Sequence, residues 1–425
     1  MTNFVLKGDI CYSASLETLH TMQDGYLVCI DGKSAGVFQS LPEQYQNLHF
    51  IDCTGKLILP GLVDLHTHAP QFSYRALGMD LELIDWLNTY TFPEETLYAD
   101  LAYAEDAYRA FVRDIQRGPN TRSVIFATRH VPATVLLMSL LEESGLITMV
   151  GKVNMDRHAP DPLREADAAT SLHDTRMWLS EVMGQFRRTS PILTPRFIPS
   201  CSDALMAGLG ELQREFGLPV QSHLSENPKE IAWVGELVPE AESYGHAYYH
   251  HGLFGGTVPT VMAHCVWPRA EEFALLQRQQ VMVAHCPQSN INIASGIAPI
   301  RRLLDAGIPV GLGSDVAGGV HTSIFRAIVD AIGVSKLYWR LVDEDAAPLS
   351  LEEGFYLATL GGGRFFGKVG GFDAGFAFDA LVLNDRELSS VHPLSIADRL
   401  ARVVHLSDER HIVRKFVGGV EIPLG

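Results

Sequence analysis

Several features are scarce in this chain, and each scarcity removes a class of function. Lys and Arg number 33 against 50 Asp and Glu, for a formal charge of −17. A nucleic-acid or anionic-membrane surface needs clustered cations, so this balance argues against both. The cysteines are few, six in 425 residues, scattered at positions 11, 29, 53, 201, 265 and 286 with no C-x-x-C pair. That spacing gives little support to a zinc ribbon or a disulfide framework and predicts reduced thiols. No apolar run reaches the roughly 18 residues of a membrane span. The opening MTNFVLKGDICYSASLE lacks the basic-then-apolar pattern of a secretion signal, so a cytoplasmic protein is expected. The H-x-E with P-C-x-x-C signature of nucleic-acid cytidine deaminases is also missing. GGGRFFGKVGG lacks the Lys-Ser/Thr of a phosphate-binding loop and reads as loop and helix-cap glycine.

What is present is a large apolar fraction, 47% hydrophobic with 20% charged residues, typical of a globular chain with ample core. Residues 1–58 carry short β-like pieces, and FAFDALVLND and HIVRKFVGGVEIP repeat that style near the end, after a helical stretch at 352–367. The two ends, 1–58 with 370–425, are expected to form one small composite β domain. Between them, over 59–369, strand-length apolar runs alternate with amphipathic segments. Eight such runs occur: 62–68, 123–128, 147–153, 192–197, 219–226, 260–264, 281–287 and 309–315. Eight is the count of an α/β fold of the (β/α)₈ type, whose active sites lie at the C-terminal ends of the strands.

Polar residues collect at those ends. The first run closes on His66 and His68, which a strand's alternation sends to the same face. The fifth carries His223 followed by Glu226, the sixth His264, the seventh His285 and the eighth Asp315. An isolated H-x-H is more often a polar strand end, but a barrel would converge the whole set. Imidazoles with a carboxylate suit one divalent transition ion, zinc first, with a coordination position left for water. A second ion usually needs a Lys or acid on strand four. ILTPRF offers neither, which leaves His264 as a hydrogen-bond partner to water or substrate. Glu226 suits a proton carrier, although alone it reads equally well as a helix-start carboxylate. His285 is either a support for the site or a packed histidine.

PGLVDLHTHAPQFSY, DWLNTYTFPEE, VGKVNMD, TPRF, QSHLSEN, AHCPQSN and GLGSDVAGG occur in order across most of 60–319. Together they resemble the amidohydrolase superfamily and, within it, its guanine-deaminating branch. The resemblance implies one zinc ion per chain, with iron(II) as the alternative, held by His66, His68, His223 and Asp315. It also implies Glu226 as proton shuttle, His264 and Asp315 acting on the water, and a homodimer. Gln71, Arg196 and Phe197, together with His264, fall at positions that look like the branch's purine contacts, although alone Arg196 reads as a surface cation and Phe197 as core. The implied activity is hydrolysis of guanine, with water as second substrate, to xanthine and ammonia in purine catabolism. Two rivals stand beside it: the same chemistry on another aminated heterocycle, which Arg196 and Gln71 discriminate, and a non-catalytic binding barrel.

Overall fold

The computed structural model describes residues 3–424. Both ends of the chain enter one seven-stranded sheet: Phe4–Ser15, Thr18–Ile30, Lys33–Phe38 and His49–Pro60 from the N-terminal side, Ala380–Leu383, Ile412–Val417 and Val420–Ile422 from the other. His49–Pro60 joins the two groups, pairing parallel with Phe4–Ser15 and antiparallel with Ala380–Leu383. A separate apolar core around Phe4, Leu6, Ile58, Phe378 and Phe416 holds this sheet together.

The intervening chain is a barrel of parallel strands and outer helices. Leu62–His68, Asn120–Phe126, Ile147–Gly151 and Thr189–Pro191 form one parallel half. Val220–Leu224, Thr260–His264, Met282–His285 and Val310–Leu312 form the other. The halves meet through a parallel bridge between Leu193 and Val220, and through the Asp315 N–H donating to the His66 carbonyl at 2.8 Å. Strands that are buried on both faces read as nearly continuous apolar runs, as LVDLHTH does, with all seven residues buried. The helices are amphipathic: Leu101–Arg117 buries Ala104, Tyr108, Phe111 and Ile115 at three- and four-residue spacing.

Two local expectations change. The fourth run is not one strand over 192–197; ladder pairing occurs in two pieces, Thr189–Pro191 beside Ile147–Gly151 and Thr194–Pro195 beside Val153–Asn154, because the neighbouring strand is itself interrupted at Lys152. The helical stretch at 352–367 divides into Leu351–Tyr356, a wider π turn at Leu357–Gly361 and a short 3₁₀ turn at Arg364–Phe366. Among the described residues, no helix is long and apolar enough to cross a membrane.

Candidate metal and substrate site

His66 and His68 leave the first strand on one face, and Asp64 fixes the strand end that carries them. Its Oδ1 accepts the N–H of His66 at 3.2 Å and of Ser314 at 3.0 Å, while Oδ2 accepts the Ser314 hydroxyl at 2.6 Å. Strands one and eight are thereby locked side by side. His66 Nε2 and His68 Nε2 stand 3.2 Å apart, and His223 Nε2 is 3.3 Å from His68 Nε2. Asp315 Oδ1 lies 3.1 Å from His66 Nε2 and 3.5 Å from His68 Nε2. His264 closes the cluster from the sixth strand, its Nε2 3.6 Å from Asp315 Oδ2 and 3.5 Å from Glu226 Oε2. His264 and Asp315 both have positive φ, 75° and 46°, a strained backbone that turns their side chains into the cavity.

The protonation pattern suits a cation. His223 Nδ1 is 2.6 Å from the Arg196 carbonyl, which can only accept, so Nδ1 carries the hydrogen and Nε2 presents a lone pair. His264 Nδ1 meets the Asn290 amide oxygen at 2.9 Å with the same consequence. Burial first, then the His66 imidazole beside each of them, keeps His68 and His223 well below the usual histidine range, hence neutral. Burial alone would raise Asp315; His66, whose Nε2 lies against its Oδ1, outweighs it and holds the carboxyl below its ordinary value. Lone pairs and a carboxylate oxygen converging at such distances repel one another unless a positive ion stands among them. His66, His68 and Asp315, and separately His66, His223 and His264, bring ligand atoms within 4.8 Å of one another. The donor set therefore fits a divalent transition metal.

Glu226 faces this cluster from the turn after the fifth strand, 3% exposed, and accepts the Ser295 hydroxyl at 3.1 Å. Burial, with the Asp315 charge second, pushes its carboxyl up to about 8, so it holds a proton at neutral pH. The same cavity, about 440 Å³ of empty space, is lined by His68, His223, His264, Glu226 and Asp315 on one side and by Gln71, Arg196 and Phe197 on another. Its mixed apolar and polar lining is that of a small-molecule pocket. His285 is buried with neither ring nitrogen hydrogen-bonded among the described residues, and burial followed by His264 pushes it down to about 3. It stays neutral, outside the ligand clusters, and its carbonyl accepts the Gly313 N–H at 2.9 Å beside the eighth strand.

Sequence reasoning did not single out four contributors. Glu95 pairs with Arg196 and Gln71; Trp86 and Leu87 line the cavity; Glu230 lies beneath Glu226. DWLNTYTFPEE contains the first three, but nothing in its pattern says that Glu95 turns inward while neighbouring Glu94 accepts the Tyr103 hydroxyl.

The match to the amidohydrolase family spans residues 57–422, and the chain belongs to that family. Its relatives narrow the class. A guanine deaminase of Dictyostelium discoideum is 35% identical over 98% of each chain, and the Homo sapiens guanine deaminase is 36% identical over 86% of this chain and 83% of that one. A crystal structure of a guanine deaminase from C. acetobutylicum with guanine bound in its active site superposes with a TM-score of 0.96 at 43% identity, covering 99% of this chain and all of the other. Within the family, the chain groups with the guanine deaminases.

Proposed function

We propose that this chain hydrolyses guanine to xanthine and ammonia. The observation that carries the reading is one cavity joining three elements: the imidazole–carboxylate cluster, a buried Glu226 facing it, and the Arg196–Gln71 wall. His66, His68, His223 and Asp315 would hold a divalent ion, zinc by preference, and bound there it would polarise a water so that it ionises near neutral pH. The residues of the chain do the rest. Arg196 donates to the purine O6, Gln71 holds a ring edge, and Phe197 supplies the apolar wall. Asp315 and His264 orient the water toward C2 and draw off its proton. Glu226 gives its proton to the adjacent ring nitrogen, then carries one to the departing amine. Without that second transfer, the tetrahedral adduct would expel oxygen rather than nitrogen.

Further parts belong to the same proposal: a composite terminal unit of 1–58 with 370–425 around a 59–369 barrel, homodimeric assembly, and a cytoplasmic role in purine catabolism. Six scattered cysteines with no C-x-x-C pair support the compartment, and the family resemblance supports the dimer. The test is ammonia release by the purified, metal-analysed protein from guanine, adenine, a pterin and an aminotriazine. Guanine should be preferred by at least about tenfold. A preference for another ring would replace the substrate and keep the chemistry.

A further inference from the structure

The short helix Phe92–Thr96 lies between the first and second barrel strands and puts two groups on Arg196. The Phe92 ring centroid is 5.2 Å from the guanidinium carbon. The Glu95 carboxylate takes Arg196 in a bidentate grip, Oε2 accepting from Nη1 at 2.5 Å and Oε1 from Nη2 at 3.1 Å. Oε1 also accepts from Gln71 Nε2 at 3.0 Å, and Gln71 Oε1 accepts the Ala317 N–H at 3.2 Å. Glu95, Arg196 and Gln71 are 2%, 4% and 2% exposed. Gln71 and Arg196 form part of the cavity wall, whereas Glu95 stands behind them.

We propose that Glu95 is the positioning residue that sets the charge selectivity of the pocket: by neutralising Arg196 it makes the ring-recognition side prefer an uncharged lactam over an anionic ring. The inference rests on the guanine reading above. A lone buried guanidinium attracts an anion, because only a negative partner offsets its lost hydration. Paired, the same group presents a dipole. The bidentate contact uses one N–H on each terminal nitrogen and leaves further N–H groups for a carbonyl oxygen. Glu95 also orients Gln71, whose amide is fixed at both ends, so one carboxylate sets the direction of both purine-facing side chains.

The test uses the metal-loaded enzyme with guanine and 8-azaguanine, which has nearly the same shape but a ring that ionises far more readily, at pH 8. Glu95→Gln keeps the shape and removes the charge. It should lower kcat/KM for guanine by roughly 10- to 100-fold, mainly through KM, and raise the 8-azaguanine to guanine ratio at least about fivefold. Glu95→Asp keeps the charge and should hold that ratio within about twofold of wild type, whatever activity it loses. An unchanged ratio in Glu95→Gln, or the same shift in Glu95→Asp, overturns the proposal and leaves Glu95 a structural ion-pair partner. A wild-type enzyme inactive on guanine would instead overturn the functional reading. Calorimetric binding of the two purines to wild type and both variants would then supply the same ratios and decide the role of Glu95 without turnover.

Discussion

His66, His68, His223 and Asp315 stand at the ends of strands whose backbones are tied to their neighbours, whereas Trp86, Leu87 and Glu95 come from a series of short helical turns between the first and second strands. The cavity is thus built by two kinds of backbone. Strand ends hold side chains at positions fixed by ladder hydrogen bonds, as a metal site of narrow bond-length tolerance requires. The insert holds its residues through side-chain packing and a few polar contacts, such as the Trp86 indole N–H to the Leu77 carbonyl at 3.1 Å. Damage to the first half should stop the chemistry; damage to the second should weaken binding of the ring.

Removing the metal gives the largest effect on that contrast. Chelation should reduce ammonia release to below about 1% of its starting rate, and one equivalent of zinc should restore it. Full turnover by verified metal-free protein would end the assignment of the strand-end cluster to catalysis. Glu226→Gln comes next. It preserves shape but cannot move a proton, so kcat should fall at least about 10²-fold while metal content holds at the wild-type level. Near-normal turnover would place the shuttle elsewhere.

Trp86→Ala probes the insert half. Losing a buried indole from the pocket wall should raise KM about tenfold and change kcat less than about threefold, with metal content unchanged. A fall in kcat larger than the rise in KM would mean that the two halves are mechanically coupled, and the contrast would fail.

That contrast also explains which residues are legible in the sequence. Period-two alternation and strand-end placement are local properties, so the barrel, His66, His68, His223, His264 and Asp315 stand out as a set. Gln71, Arg196 and Phe197 emerge through their place in motifs. Glu95 does not, because its role depends on how its helix meets Arg196, a meeting fixed by contacts of that guanidinium with Phe92 of the same helix and with Met155 of another segment. His285 shows the converse: strand-end placement marks it, yet its ring points to no partner among the described residues. The broken fourth strand is not visible in its own residues, because it follows the interruption of the neighbouring strand at Lys152.

The last effect is one on stability, and it is expected at Tyr244, beneath the proton carrier. Its hydroxyl donates to Glu230 Oε1 at 2.7 Å, while Glu230 Oε2 accepts the N–H of Glu226 at 3.1 Å and of Asn227 at 3.3 Å. Burial first, and the neighbouring Glu226 carboxyl second, push the Glu230 carboxyl from its ordinary 4.5 up to about 7, and the tyrosine hydroxyl opposes that rise. Between pH 4.5 and 7 the unfolded chain has released this proton and the folded chain has not, so the group's contribution to stability falls as pH rises through that window and levels off above it. Tyr244→Phe removes a donor to the anion and pushes the folded value higher, which extends the falling window upward. At pH 6, where Glu230 is largely protonated, the variant should lose about 0.5–1.5 kcal/mol, the worth of a neutral hydrogen bond. At pH 8.5 it should lose about 1.5–3 kcal/mol, because the missing bond is then charge-assisted. Urea unfolding at the two pH values measures the difference. An equal cost at both would show that the hydroxyl does not tune Glu230.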